Sequence, residues 1–593
     1  MRPRTRRWIV TRGLVGTTST DFGRVRRPAW SWPAPVAPPV VRQPLTRARL
    51  IERRIGLLFA FFLVALILAT GRATWLGTVR AGELRERAVA QQVEEIEVPA
   101  RRGAIVDRHG AELAVSEEAV SVFANPQQID QPASVAGRVA PVVERPVDEV
   151  LALLSDRERG FVYLGRKLDA EKGREVAKLG VEGLGTVAEP RRRYPHRFLA
   201  SQLIGSVGTD NYGLAGLEQS HEEELKGSGG QRRVVKDATG QPVSIVEPRP
   251  ASAGTDLRLT IDSVLQERTE EVLAGVGREY EPRGATALAL DPRNGEILAL
   301  ANWPRVDAND LGGAPAYARQ NRGVAASYEP GSTFKAFTVA GALEEGIIQP
   351  DSVFDLPPEI EVADRTIGEA HDRGPVTLTV SEILAQSSNV GSVMIGLELG
   401  AERFDRWVRR FGFGSPTGVN VPGEASGIIP EPDEYSGSSL GNLPIGQGLA
   451  VTPIQMAAGY SAIANGGVLH PPHLVAGESR PPRRVLSEAT AERVSSMLEG
   501  VLAPGGTGTE ASVPGYELAG KTGTAQKADE LGGYSKTKYF ASFIGFAPAK
   551  NPRLLVAVMV DEPQGSIYGA EVAAPAFEKI VSFALPYLRI PPD

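Results

Sequence analysis

Cysteine is missing altogether from the 593 residues, which excludes a disulfide framework, a thiolate metal site and a thiol nucleophile. Histidine is scarce: there are six, with no H-x-x-x-H pair among them, so a zinc enzyme of that type is excluded too. Charge of one sign is nearly balanced overall, at a net −6, but it is unevenly spread. Residues 1–54 hold thirteen Arg against Asp21 and Glu52, which leaves the rest of the chain near −17. An acidic body argues against a nucleic-acid groove. Hydrophobic residues at 42% and charged residues at 23% are ordinary for a globular protein and ample for sizeable cores. At roughly 100–200 residues per domain, the length suits about three units.

Long apolar runs are rare, and one sets the expected compartment. IGLLFAFFLVALILATG, residues 55–71, is seventeen uncharged residues, with Trp75 a few positions beyond. That is the short end for a membrane span. A buried core helix and a cleaved signal are the alternatives. Apolarity on every side disfavours an ordinary amphipathic helix, and a 54-residue leader is too long for a signal n-region. The expectation is a retained anchor at 55–76. Residues 1–54, Arg-rich and carrying SWPAPVAPP, read as a disordered tail kept in the cytoplasm by the positive-inside rule. Arg72, Arg80, Arg85 and Arg87 soften that contrast on the far side. A single-pass inner or plasma membrane protein with an extracytoplasmic body follows.

Beyond the anchor, residues 77–250 are mixed and charged, with a helical stretch at Asp169–Leu179. A Pro-rich seam, VEPRPASAGTD (246–256), reads as a linker, so the last unit is expected at 251–593. Within it, LRLTID precedes a helical run, and ATALALD and EILALAN flank the turn PRNG. YFASFIGFA and LLVAVMV are strands joined by PAKNP, and AFEKIVSFALPYL is a closing amphipathic helix. Terminal strands around a helix-rich middle predict an α+β fold with an antiparallel sheet.

One stretch, GYELAGKTGT (515–524), supports two incompatible readings. Gly515, Gly520, Lys521 and Thr522 satisfy the phosphate-binding G-x-x-x-x-G-K-[ST], and LLVAVMVDE could pass for a magnesium-binding strand. A P-loop, however, follows a buried strand and opens a helix. PGGTGTEASVP cannot be that strand, and GTAQKADELGGYSKTK has too little apolar face for that helix. Lys521, Thr522 and Gly523 also spell K-T-G, one box of the S-x-x-K, S-x-N, K-T-G trio of penicillin-recognising serine enzymes. The other boxes are present. Ser332 and Lys335 supply S-x-x-K after the turn residues Pro330 and Gly331, and Ser387-Ser388-Asn389 supplies S-x-N. A second S-x-x-K, Ser535 and Lys538, lacks a helical frame. A solvated Ser and Lys would account for either copy alone. Three boxes in order are far more specific.

On these residues the chain resembles the class B penicillin-binding proteins from about Val98 onward. RRGAIVDRHGAELA (101–114) and RRYPHRFLASQLIGSVGTDNYGLAGLE (192–218) are similar to the two signatures of the family's non-catalytic pedestal or dimer domain. LPIGQGLAVTPIQM (443–456) resembles a later signature of its transpeptidase domain. No E-D-x-x-F-x-x-H-x-G glycosyltransferase box occurs. YEPGS and QSSNVG are similar to the division-type branch.

The resemblance implies a tail (1–54), an anchor (55–76), an elongated pedestal (77–250) and a serine β-lactamase-like transpeptidase domain (251–593) with an antiparallel sheet and a helical subdomain. It implies Ser332 as nucleophile, acylated by the penultimate D-Ala of a peptidoglycan stem peptide. Lys335 is its base, and Ser387 and Asn389 relay a proton and hold Lys335. Lys521, Thr522, Gly523 and Thr524 form the box that receives the substrate carboxylate, and the N–H groups of Ser332 and Thr524 form the oxyanion hole. For a base, Lys335 must drop from about 10.4 toward 7–8, through burial beside Phe334 and Phe337 and through Lys521 as a second cation. No cofactor or metal is implied. The implied partners are stem peptides, β-lactams, a SEDS-type membrane glycosyltransferase and other division proteins. An elongation-type transpeptidase, a D,D-carboxypeptidase, a β-lactamase or sensor, and a silent division scaffold are the competing readings.

Overall fold

The computed structural model describes residues 46–83, 93–236, 242–529 and 532–592. Most of the expected tail, residues 1–45, lies outside them. Residues 46–54 belong to a helix rather than to a tail, because the first helix runs Thr46–Thr78. At 1.5 Å per residue it is about 50 Å long, more than the roughly 30 Å bilayer core. Leu57, Phe59, Phe61, Phe62 and Leu66 are all exposed on it, and Glu52–Thr78 is apolar enough to cross a membrane. The hydroxyls of Thr70, Thr74 and Thr78 donate to carbonyls four residues back, at 2.6–2.8 Å. That satisfies them without water, as a lipid environment demands.

Residues 92–593 form a second, separate unit. Its centre is a five-stranded antiparallel sheet in the order Ile297–Trp303, Gly284–Leu290, Leu554–Asp561, Tyr534–Ala547, Ala519–Ala528. Alternate residues of one strand serve two cores. Ala285, Ala287 and Ala289 face the helices Ser263–Tyr280 and Ala574–Tyr587, while Leu288 and Leu290 face the helix-rich middle. Val556, Val558 and Val560 alternate in the same way with Leu555, Ala557 and Met559. Burial on both faces is why these strands read as unbroken apolar runs. The T-P-x-Q of VTPIQM explains itself locally. Thr452 and Gln455 form a reciprocal capping box, with Pro453 at the first position of the helix Pro453–Ala464.

The two N-terminal signatures meet on one carboxylate. Glu218 is fully buried and accepts from Arg102 Nε (2.5 Å) and Arg192 Nε (2.6 Å). Gly103 is dictated by close approach, since a Cβ there would come 2.1 Å from the Thr255 carbonyl oxygen.

Two expectations about the seam need correction. Val246–Arg249 is not linker but part of the strand Pro242–Arg249, which pairs with Gly230–Lys236. Leu257–Arg258, expected to open the last unit, pairs in parallel with Ile105–Val106. Asp107 then accepts from the Ser263 amide and hydroxyl at the start of the next helix. Ile105, Leu113 and Leu203 share one hydrophobic cluster with Phe334 and Ile544. Proline marked the seam correctly as irregular, but long-range pairing makes it structural.

Candidate active site

Ser332 sits in a turn that its neighbours make tight. Gly331 adopts φ +56, a region open to glycine, and Gly331–Phe334 is a 3-10 turn running into the helix Lys335–Glu344. Side chains at i and i+3 eclipse in such a turn, so Ser332 and Lys335 share one edge. The turn is tied down from outside. The Gly331 amide donates to the Gly446 carbonyl at 3.0 Å, the Tyr460 hydroxyl donates to the Thr333 carbonyl at 2.7 Å, and the Thr338 hydroxyl donates to the Pro444 carbonyl at 2.9 Å. Phe334 and Phe337 pack with Phe411, Phe413 and Tyr460, with ring centroids 4.8–5.3 Å apart.

Lys335 is fully buried. Its Nζ donates to the Ser387 carbonyl at 2.6 Å and to Asn389 Oδ1 at 2.8 Å, with Ser387 Oγ at 3.3 Å. Burial pulls its ammonium down to about 7, against the Glu369 carboxylate, which raises it. Ser387 has φ +60 between the helices Val380–Ala385 and Asn389–Leu399, and both its carbonyl and its hydroxyl reach Lys335 Nζ. A non-glycine residue held there costs about 1–3 kcal/mol, a form of strain that collects at functional sites.

Lys521 is also fully buried, on the edge strand Ala519–Ala528. Burial first, and then the charge of Lys335, hold it well below the usual lysine range. Burial is the leading cause at both lysines, and the repulsion between the two ammonium groups, which is mutual, adds to it. A strand at Lys521 with no helix after it also disposes of the P-loop reading. Gly523 lets this strand lie against the turn that carries Ser332. A Cβ there would meet Ser542 Oγ at 2.4 Å and Thr333 Cγ2 at 2.9 Å. The Thr522 hydroxyl is buried and shares a hydrogen bond with Thr507 at 2.8 Å. Thr524, half-buried, accepts the Gly569 amide on its hydroxyl at 3.1 Å, which leaves its own proton to donate.

All eight candidate residues thus lie on the Ser332 turn and the helix start that follows it, the Ser387–Asn389 bend and the edge strand packed around them. The competing Ser535 lies instead on the strand Tyr534–Ala547, where its hydroxyl accepts from the Thr537 and Lys538 amides, and Lys538 is exposed. The sequence reading missed Glu369. It accepts from Ser388 Oγ (2.5 Å), the Asn389 amide (2.6 Å) and Arg373. Its loop also reaches across the site, where His371 meets Tyr568 with ring centroids 5.8 Å apart. A single acid in a charged loop leaves no spacing by which to find it.

Known proteins share this arrangement. Residues 285–582 match the penicillin-binding protein transpeptidase domain, and residues 97–259 match the penicillin-binding protein dimerisation domain. The peptidoglycan D,D-transpeptidase FtsI of Escherichia coli K12 is 33% identical over 554 residues, covering 92% of this chain and 94% of that protein. The chain belongs to the class B penicillin-binding proteins. Within that family, stage V sporulation protein D of Bacillus subtilis is 33% identical over 563 residues, covering 91% of this chain and 87% of its own length. Penicillin-binding protein 3 of Mycobacterium tuberculosis, solved with aztreonam, superposes with a TM-score of 0.66 at 30% identity, covering 84% of this chain and 98% of that one. One long apolar helix, the dimerisation domain and the transpeptidase domain thus follow one another along the chain.

Proposed function

We propose that this class B penicillin-binding protein is a membrane-anchored peptidoglycan D,D-transpeptidase that cross-links stem peptides during septal wall synthesis and is acylated by β-lactams at Ser332. The observation that carries the reading is the bonding of Lys335. Two of its partners, the Ser387 carbonyl and Asn389 Oδ1, can only accept. A neutral amine spends its two hydrogens on them and keeps its lone pair for a hydroxyl proton.

In the first step the Ser332 Oγ proton passes to Lys335 Nζ as Oγ bonds to the carbonyl carbon of the penultimate D-Ala. The oxyanion rests on the Ser332 and Thr524 amides. The C–N bond to the terminal D-Ala breaks, and the departing amine takes the proton. In the second step an amine of another stem peptide attacks the ester, gives up a proton through Lys335 and Ser387, and Ser332 Oγ leaves as the hydroxyl. Lys521, Thr522 and Thr524 receive the substrate carboxylate. Names such as D,D-transpeptidase FtsI and PenA among the relatives, and the aztreonam and ampicillin complexes of a structural relative, support this chemistry.

The domain reading goes with it, adjusted to the helix Thr46–Thr78 and the pairing of Leu257–Arg258 with Ile105–Val106: an N-terminal segment in the cytoplasm, an anchor at 55–76, a pedestal from residue 77 through the seam, and a catalytic domain following it outside the cytoplasm. A SEDS-type glycosyltransferase, engaged through anchor and pedestal, supplies the glycan strands. Purified membrane complex given lipid-linked precursor should yield cross-linked dimers by LC–MS. Monomers lacking one D-Ala, without dimers, would make it a carboxypeptidase. Depletion should leave cells that grow without completing septa, whereas loss of lateral-wall growth would make it elongation-type.

A further inference from the structure

The loop after the strand Arg365–Gly368 holds a carboxylate that makes no contact with the expected nucleophile yet governs what surrounds its base. The Glu369 side chain is only 8% exposed. Its Oε1 accepts from the Ser388 hydroxyl and from Arg373, and its Oε2 accepts from the Asn389 amide. The residue before it completes the clamp, because the Gly368 carbonyl accepts from Asn389 Nδ2 at 2.9 Å. With its NH₂ committed there, the Asn389 amide can present only Oδ1 to Lys335. Main chain and side chain of Asn389 are thus both held from residues 368–369. Ser388 carries the same restraint onward. Its hydroxyl donates to Glu369 and accepts the Gly391 amide at 3.0 Å, capping the helix Asn389–Leu399. A negative charge at that helix N-terminus is also favoured by the helix dipole.

We propose that Glu369 is a positioning residue for the transpeptidase reaction, holding Asn389, and through it Lys335, in the geometry that receives the Ser332 proton. The proton itself goes from Ser332 Oγ to Lys335 Nζ, and none passes to Glu369. Charge adds to geometry. Burial opposes ionisation of Glu369, but hydrogen bonds from Ser388, Asn389 and Arg373, together with Lys335, hold its carboxyl below the usual range. It therefore stays an anion beside a base that must become a cation. The charged groups facing this pair are Lys521 from the edge strand and Arg373 from the same loop. Arg373 is cationic and Lys521, held well below the usual lysine range by burial, is at most a cation, so Glu369 supplies the negative charge in the group.

This inference rests on the reading of Ser332 and Lys335 as nucleophile and base, and the experiment separates the two. The rate of acylation of the full-length protein by a fluorescent penicillin is followed from about pH 5 to about pH 9, with melting temperature alongside. If the wild type is not acylated at Ser332, the parent reading fails. If it is, Glu369→Gln should slow acylation by up to about 100-fold and move the acid limb of the profile to lower pH, because Lys335 loses the carboxylate that raises it. Glu369→Asp should leave the limb in place and recover part of the rate. An unchanged rate and limb in Glu369→Gln would overturn the proposal, as would a slower rate with an unmoved limb and a matching loss of melting temperature. Should Glu369→Gln fail to fold, Arg373→Met decides. Freed of the opposing cation, Glu369 should push the limb to higher pH, and an unmoved limb rejects the proposal.

Discussion

The main-chain carbonyl of Ser387 lies 2.6 Å from the side-chain nitrogen of Lys335, and it does so because Ser387 is bent into the left-handed region at φ +60. An ordinary helix-to-helix turn would leave that carbonyl pointing elsewhere. The bend explains why a serine hydroxyl and a backbone oxygen of one residue converge on a single buried amine. It also fixes the proton count of the site, since acceptors that cannot donate leave a neutral Lys335 only its lone pair to offer.

The rate of acylation should therefore follow the charge of Lys335. Its ammonium titrates near 7, and only the neutral form accepts a proton, so acylation should rise with pH through about 7 and level off above it. Stability carries the same signature. Between about pH 7 and the ordinary lysine value of 10.5 the unfolded chain holds a proton that the folded chain does not. The contribution of Lys335 to stability is then least favourable below 7 and improves as pH climbs through that window. Stopped-flow acylation of Lys335→Ala should show a loss of at least about 10²–10⁴-fold and no limb near 7. A variant within threefold or so of wild type would remove Lys335 from the chemistry.

Labelling should discriminate between the two S-x-x-K copies. Ser332 shares an edge with a buried, depressed lysine. Ser535 is held by two backbone amides on a strand, beside an exposed Lys538. Peptide mapping after fluorescent penicillin should place the adduct on Ser332 alone, and Ser332→Ala should not label. An adduct on Ser535 would reverse the assignment.

Much of this site is legible before folding, for a definite reason. Residues such as Ser332 and Lys335, or Lys521 to Thr524, stand at fixed short spacings, and short spacings survive as motifs. The central strands are legible too, because burial on both faces leaves apolar runs ending at turn residues. Glu369 is not, since its partners Ser388 and Asn389 lie 19 and 20 residues away and a lone acid has no period. The strand Ala519–Ala528 is equally hidden. Its two glycines and few β-branched residues give little strand propensity, and its place at the sheet edge comes from pairing with Tyr534–Ala547. The seam misleads for the opposite reason, as Pro248 and Pro250 suggest a linker where long-range pairing builds structure.

Glu218 should matter for stability rather than chemistry. It pairs with Arg102 and Arg192, both nearly inaccessible to solvent. Glu218→Ala would leave two buried guanidinium groups facing an empty carboxylate position, a loss of about 3–5 kcal/mol. Urea denaturation should show the drop, while the folded fraction at low temperature still acylates at the wild-type rate. A variant as stable as wild type would mean that water reaches the cluster.

Gly446 should show the converse, a defect in chemistry produced without touching any reacting group. It has φ +79, and a Cβ built on it would lie 2.2 Å from the Gly331 carbonyl oxygen and 2.8 Å from Phe334 Cβ. Neither neighbour can rotate away, one being backbone and the other the root of a fully buried ring. Gly446→Ala must therefore push the 3-10 turn off the Gly446 carbonyl that now receives the Gly331 amide. Ser332 moves with that turn, while Lys335 remains held by Ser387 and Asn389 from the other side. A displacement of about 1 Å between nucleophile and base is enough for roughly a 100-fold loss of rate. The left-handed backbone adds about 1–2 kcal/mol of destabilisation. Acylation kinetics should fall much further than melting temperature, and the acid limb near 7 should stay where it is, because the surroundings of Lys335 are untouched. Wild-type acylation in Gly446→Ala would show that the turn is positioned by the aromatic cluster and Tyr460 alone.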